Sequence, residues 1–273
     1  MKIVDKISEE GIHSVSETEY FHLVERAEDH LEGVNLIEKD WNEFMVVGDT
    51  HGELEAARKP AEHSYAEDVP IVYLGDYVDR GKKQLENLAY LLSMKMERPE
   101  KMVLLRGNHE TRGMNLSYGF QQVVGKQFSS HLFERIVSLY RKIPAAGVVG
   151  KKYYLAHGGI PKGVKDHREI NELKPGGERY REIFWNDPSE EIEYFEPNFK
   201  RGAYRIYGRK AVESFLENSD LKMMIRAHEV QQSGYRYYFD GKLLSLFSIS
   251  NYHENNKGKY AHVKDEKIEL IDN

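Results

Sequence analysis

Gly75-Asp76-Tyr77-Val78-Asp79-Arg80-Gly81 follows directly on the apolar run Ile71-Val72-Tyr73-Leu74. An apolar run that stops at a glycine reads as a short buried strand. The two aspartates and the arginine behind it are released at the strand's carboxyl end, where open α/β sheets hold their ligands. Asp76, the first charge past the strand, is the residue on which the reading turns.

The same arrangement recurs along the chain. Phe44-Met45-Val46-Val47 leads into Gly48-Asp49-Thr50-His51-Gly52, and Met102-Val103-Leu104-Leu105 into Arg106-Gly107-Asn108-His109-Glu110. Tyr153-Tyr154-Leu155-Ala156 leads into His157-Gly158-Gly159, and Leu221-Lys222-Met223-Met224-Ile225 into Arg226-Ala227-His228-Glu229. Strand ends that each carry Asp, Asn or His predict one polar cluster, and a metal site before anything else.

Taken together, these pieces resemble the PPP family of serine/threonine protein phosphatases, within the binuclear metallophosphoesterases. The resemblance rests on GDTHG, GDYVDRG, LRGNHE, HGG and RAHE, followed by Ile249-Ser250-Asn251-Tyr252. The motifs stand in the family's order between about residues 44 and 255. One alone is a weak signal; together and in order they are a strong one.

The resemblance implies an α/β fold of two stacked mixed β-sheets flanked by helices, the four-layer sandwich of calcineurin-like metallophosphoesterases. It implies two divalent metal ions held by Asp49, His51, Asp76, Asn108, His157 and His228. Asp49 and His51, one residue apart, can turn toward one ion. Asp76 can lend one oxygen to each ion, and Asn108, His157 and His228 can complete the second. Imidazole mixed with carboxylate and amide suits Mn, Fe or Zn better than Ca or Mg, and Mn is the expected metal in vitro. Two such ions, expected about 3.5–4 Å apart, make hydroxide available near neutral pH for in-line attack on phosphorus, with no covalent intermediate.

Arginine offers a planar donor fork to phosphate oxygens, and Arg80 beside Asp76 is the first expected clamp. Arg201, in Lys200-Arg201-Gly202, stands where the family has a second phosphate-binding arginine, with Arg205 and Arg209 as competitors. The family pairs the histidine after the metal-binding asparagine with the second aspartate of GDxxDRG. That pair falls on His109 and Asp79, a general acid for the leaving alkoxide. Asn108 and Tyr252 are expected to touch substrate.

The expected activity is hydrolysis of phosphoserine and phosphothreonine monoesters on proteins or peptides. A dinucleoside polyphosphate hydrolase shares GDxHG, GDxxDRG and GNHE; Arg201 and the Ser250-Asn251-Tyr252 tail argue against it. A non-catalytic binding protein on the same fold is opposed by the intact ligand set and the paired Asp79 and His109. Several features depart from the better-known eukaryotic members: His253-Glu254 after Tyr252 in place of a cysteine, no long C-terminal tail, and a helix after Gly52 reading Glu53-Leu54-Glu55-Ala56-Ala57-Arg58. The form is closer to compact prokaryotic or archaeal members, and neither regulatory subunits nor inhibitor sensitivity are carried over.

Composition sets the bounds. With 39 basic against 45 acidic side chains, the formal net charge of -6 offers no general attraction to nucleic acid or anionic lipid. The absence of cysteine removes disulfides, thiolate nucleophiles and Cys-type zinc sites, and fits a reducing cytosol. Met1-Lys2-Ile3-Val4-Asp5-Lys6-Ile7 lacks the h-region of a signal peptide, and no run nears the roughly 20 apolar residues of a membrane span. The expected protein is cytoplasmic and unanchored, with one catalytic domain over residues 1–273 and a helical segment to about residue 43.

In chain order, residues 16 to 40 read as a helix capped by Ser16 with Glu19. A helix interrupted by Pro60 follows Gly52, another runs from Lys82 to Met96, and helical pattern extends from Glu110 to Lys142. The first half reads as a parallel α/β layer and the second as a strand-rich layer packed on it, with Asp240-Gly241 as a two-residue hairpin turn. Residues 161 to 210, with Pro161, Pro175, Pro188 and Pro197, read as irregular loops over the site's rim. Trp185-Asn186-Asp187-Pro188 is read as a buried tryptophan with a polar turn. His13, His22, His30, His63, His131 and His167 are given no role.

Overall fold

The computed structural model describes residues 3–202, 204–253 and 255–273. Its helices are α1 (Ile3–Glu10), α2 (Glu17–Glu28), α3 (Leu54–Ala66), α4 (Gln84–Glu97), α5 (Arg112–Tyr118), α6 (Phe120–Gln127), α7 (Ser130–Leu139), α8 (Glu178–Trp185) and α9 (Arg209–Ser219). Its strands are β1 (Leu36–Lys39), β2 (Glu43–Val47), β3 (Ile71–Tyr73), β4 (Met102–Leu104), β5 (Ala146–Val149), β6 (Tyr153–Ala156), β7 (Asp187–Pro188), β8 (Phe195–Asn198), β9 (Tyr204–Tyr207), β10 (Met223–Arg226), β11 (Tyr235–Tyr238), β12 (Leu243–Leu246), β13 (Lys259–Lys264) and β14 (Lys267–Asp272). Among the described residues, no helix is long and apolar enough to cross a membrane.

One sheet has the order β14-β13-β2-β3-β4 and a second the order β1-β5-β6-β10-β12-β11. Period-two alternation explains how they stack. Phe44, Val46, Val72, Leu74, Val103 and Leu105 of the first sheet share one apolar cluster with Tyr153, Leu155, Met223, Ile225, Leu244 and Leu246 of the second. The residues between them face outward: Met45, Val47, Ile71 and Tyr73 pack with α2, α4 and α7 side chains, and Tyr154, Ala156 and Met224 with α8 and α9. The result is helices, sheet, sheet, helices, the expected two stacked mixed sheets.

Several local expectations change. The Ser16–Glu19 capping box forms, but α2 ends at Glu28. Leu36–Lys39 leaves as β1, paired in parallel with β5, so the 16–40 segment is half helix and half strand. The first sheet is not purely parallel, because β13 joins β2 in antiparallel register from the far end of the chain. The helical stretch after Glu110 breaks at Gly119, at φ 100°, and again at extended Phe128. Tyr238 pairs with Leu243, so the hairpin turn spans Phe239 to Lys242 rather than two residues. Residues 161 to 210 carry α8, the start of α9 and a small sheet of order β7-β9-β8.

Pro60 does not interrupt α3. A proline inside a helix strands the carbonyl four residues earlier. Here that carbonyl, Ala56 O, accepts from Asn273 Nδ2 at 2.9 Å, and the neighbouring Ala57 O accepts from the Tyr73 hydroxyl at 2.6 Å. Asn273, distant in sequence, therefore satisfies the carbonyl that the proline releases.

Candidate metal and phosphate site

The carboxyl ends of β2, β3 and β4 meet those of β6 and β10 where the two sheets open. Close backbone approach there requires glycine: a Cβ on Gly75 would lie 2.4 Å from Gly107 N, and one on Gly107 would lie 2.2 Å from Asp76 Oδ1. Glu110 ties these loops together by accepting the amide N–H groups of Asp76, Tyr77 and Gly107, each at 2.8 Å. His51, Asp76, Asp79, Arg80 and His228 all adopt left-handed backbone, with φ between 38° and 75°. Such strain gathers where a fold over-determines side-chain aim, as at functional sites.

Asp76 Oδ2 lies 3.5 Å from His51 Nε2 and 3.2 Å from His157 Nε2. Asp49 Oδ2 is 3.7 Å from His51 Nε2, on the first side. On the second, His157 Nε2 is 2.9 Å from Asn108 Oδ1 and 3.1 Å from His228 Nδ1. Two donor groups thus share Asp76. The expectation that Asp76 lends one oxygen to each side does not match this geometry: Oδ2 faces both, because Oδ1 accepts the His109 N–H at 2.9 Å.

The donor set fits divalent metal. The Nδ1 atoms of His51 and His157 face the carbonyls of Val78 and Leu74 at 2.9 and 3.1 Å, so each imidazole donates from Nδ1 and turns Nε2 toward the cluster. Burial pushes the His51 pKa down to about 3 and, helped by His157, holds His228 well below its ordinary range, so both rings are neutral. Burial, with Asp76 nearby, raises Asp49; burial also opposes ionisation of Asp76, but His157 and His109 hold it well below the usual carboxylate range. His228 Nε2 is buried without a hydrogen-bond partner, 3.9 Å from Asp187 Oδ1. Lone pairs converging on buried carboxylates are costly unless cations are there to receive them.

His109 belongs to a different unit. Its Nδ1 is 2.7 Å from Asp79 Oδ2, which also accepts Asn115 Nδ2 at 3.0 Å, while Asp79 Oδ1 accepts the Phe120 N–H at 3.0 Å. Burial opposes the charged imidazole, but Asp76 and Asp79 outweigh it and raise the His109 pKa. Asp79 is fully buried and bonds to His109, so it is no partner of Arg80.

A cavity of about 300 Å³ opens over the cluster, lined among others by Arg80, His109, Tyr118, Trp185, Arg201 and Tyr252. Arg80 Nη1 donates to the Tyr252 hydroxyl at 2.8 Å, and its guanidinium lies 4.6 Å from the Tyr118 ring centroid. Arg201 lines the same cavity, its Nε bonded to Asp187 Oδ2 at 2.9 Å. Arg205 and Arg209 do not line it; they pair with Glu182 and Asp240. Arg106 donates to the Glu110 carbonyl, away from the cavity. Glu254, beside His253, lies outside the described residues.

Trp185 is not the buried core residue expected. It is half-buried at the cavity wall, stacked on Tyr204 at 4.9 Å and edge-on to His228 at 5.6 Å. The sequence reading also missed a buried network beneath Arg201. Arg226, fully buried, donates to Asp187 Oδ1 at 2.9 Å, Glu229 Oε2 at 3.0 Å, and the carbonyls of Gly158 and Asn186 at 2.7 and 3.1 Å. Asp187 therefore joins Arg226 to Arg201. Its signal was the quoted Trp185-Asn186-Asp187-Pro188 segment together with the arginine that opens RAHE.

The chain belongs to the calcineurin-like phosphoesterase family, whose sequence pattern matches residues 43–232. It is a hydrolase of phosphoesters with a buried His/Asp cluster able to bind metal. Among solved structures it is similar to a protein serine/threonine phosphatase from Saccharomyces cerevisiae with similarity to human phosphatase PP5. That match has a TM-score of 0.82 at 22% identity and covers 95% of this chain and 89% of the other. A candidate diadenosine tetraphosphatase matches with a TM-score of 0.52 at 13% identity, over 88% of this chain and 98% of that one. The cold-active protein-tyrosine phosphatase of a psychrophilic Shewanella species matches with a TM-score of 0.56 at 13% identity, over 87% and 82%.

Proposed function

We propose that this protein is a metal-dependent phosphatase of phosphoserine and phosphothreonine in proteins or peptides. The observation that carries the reading is one cavity lined by both Arg80 and Arg201 together with the Asp, His and Asn cluster, with His109, backed by Asp79, at its wall. Support comes also from the motif order and from the structural similarity to the yeast serine/threonine phosphatase.

Asp49, His51 and Asp76 would hold one divalent ion and Asp76, Asn108, His157 and His228 the other. Such a pair, when bound, supplies Lewis acidity toward phosphoryl oxygens and hydroxide near neutral pH. Arg80 and Arg201 grip the remaining phosphate oxygens by charge-assisted bonds, each held in place by Tyr252 or Asp187. His109, its Nδ1 fixed by Asp79, presents Nε2 as the donor of a proton to the departing serine or threonine oxygen. Tyr252, stacked 5.9 Å from His51, forms part of the cavity wall.

The test is phosphate release by chelator-stripped protein, with and without added Mn, from a phosphothreonine peptide and a dinucleoside polyphosphate in parallel. Metal-dependent release from the peptide is expected, and Asp76→Asn should abolish it while the circular dichroism spectrum is kept. Preference for the dinucleotide would retain the site chemistry and overturn the substrate. Full activity in folded Asp76→Asn protein would overturn both.

A further inference from the structure

A second group of imidazoles and carboxylates lies at the opposite end of β2. Asp49 follows β2's carboxyl end, whereas Glu43 opens the strand, roughly 20 Å away along extended chain. In the β13–β2 register His262 pairs with Met45 and Lys264 with Glu43. Met45 faces the helix layer, so alternation turns Glu43 and His262 toward α3 as well. The last turn of α3 supplies His63, and its C-cap is Glu67.

These side chains converge. His262 Nε2 lies 2.9 Å from Glu43 Oε1, and its Nδ1 lies 4.0 Å from Glu67 Oε2. One ligand atom each from Glu43, Glu67 and His262 falls within 4.8 Å of the others. His63 Nε2 stands 3.2 Å from Glu67 Oε1, while its Nδ1 is engaged by the Tyr260 hydroxyl at 2.8 Å. That last contact fixes the ring and leaves Nε2 as the outward donor, as outer partners do for metal-binding histidines. The donors come from β2, β13 and the C-terminal end of α3, and His63, Glu67 and His262 line an open cavity of about 750 Å³.

We propose that Glu43, Glu67 and His262, with His63 as a fourth donor, form a separate transition-metal site whose occupant is Zn2+. Two imidazoles with carboxylates match zinc's preference for mixed nitrogen and oxygen ligands, and disfavour Mg2+ and Ca2+, which take oxygen. The carboxylates already draw a cation: Lys264 Nζ sits 3.0 Å from Glu43 Oε1. The Lys264 side chain is 62% exposed, so it can swing into water when a doubly charged ion takes its place. Zinc there braces the end of α3 against β2 and the β13 strand that reaches them from the C-terminal end of the chain.

The experiment equilibrates chelator-stripped full-length protein with ZnCl2 by dialysis and counts zinc by mass spectrometry, for the parent, Glu67→Gln and His262→Gln. Each variant is expected to hold one zinc fewer per chain than the parent, with Mn-supported hydrolysis of p-nitrophenyl phosphate unchanged. Tyr260→Phe should keep the site but weaken zinc roughly 10–100-fold in competition with a chromophoric chelator. Equal zinc content in the parent and folded Glu67→Gln would overturn the proposal. Glu67 is 47% exposed, so that variant decides the question even if His262→Gln fails to fold.

Discussion

Asp79→Asn separates proton donation from every other part of the site. Asp79 accepts from His109 Nδ1, Asn115 Nδ2 and the Phe120 N–H. An asparagine has one acceptor oxygen. If that oxygen serves His109 and Asn115, the new NH2 meets the Phe120 N–H, donor against donor at the 3.0 Å separation that the carboxylate now bridges. If the oxygen serves Phe120 instead, the NH2 turns to His109 and the imidazole loses the charge that favours its acidic form. The first arrangement costs about 1–3 kcal/mol of stability. Either arrangement removes the anion that makes His109 a competent acid, a loss of roughly 10²–10⁴ in rate, or about 2.7–5.4 kcal/mol of barrier. The assay compares kcat on a phosphothreonine peptide, whose alkoxide needs a proton, with kcat on p-nitrophenyl phosphate, whose phenolate leaves without one. The peptide rate should fall by that factor and the aryl rate by less than about tenfold, at matched bound metal. An equal loss on both substrates, with metal content unchanged, would refute the role given to His109 and Asp79.

Arg226→Met should destabilise by about 3–5 kcal/mol, because it removes the fully buried cation that Asp187 and Glu229 are paired with; a melting temperature within about 2 °C of the parent would contradict this. Asn273→Ala strands Ala56 O beside Pro60 and should cost about 1–2 kcal/mol in urea unfolding, with an unshifted midpoint as the opposing result. Acid should probe the N-terminal cap. Glu19 accepts the Ser16 N–H, the Ser16 hydroxyl and Lys6, which lower its pKa from 4.5 to about 2. A folded-state pKa below the unfolded value means that the stabilisation is present above about pH 4.5 and is lost as pH falls toward 2. Glu19→Gln should therefore flatten the stability curve across that window, and parallel curves for the two proteins would exclude the cap's contribution.

Much of the site is legible in the chain because its chemistry is local. A buried strand needs a short apolar run, a close turn needs glycine, and the polar residues just past the run have nowhere to go but the sheet's end. Asp49, His51, Asp76, Asn108, His157 and His228 were readable as one cluster for that reason, and the structure brings them together. The capping box at Ser16 and Glu19 was readable on the same ground, since both halves lie within one helical turn.

What the chain alone left open depends on partners far apart in sequence. Leu36–Lys39 continues an apolar pattern that a helix could also use; only β5, more than a hundred residues later, makes it a strand. Pro60 stays helical because Asn273 receives the stranded carbonyl. Arg201 was separated from Arg205 and Arg209 only by tertiary pairing, which sends the last two to Glu182 and Asp240 and holds the first, through Asp187 and Arg226, over the cluster. Residue types and their order along the chain determined which ligands exist, because hydrophobic burial and turn geometry act within a few residues. The packing of two sheets decided which arginine meets them and which oxygen of Asp76 they share, because a hydrogen bond is set by distance in space and not by separation in sequence.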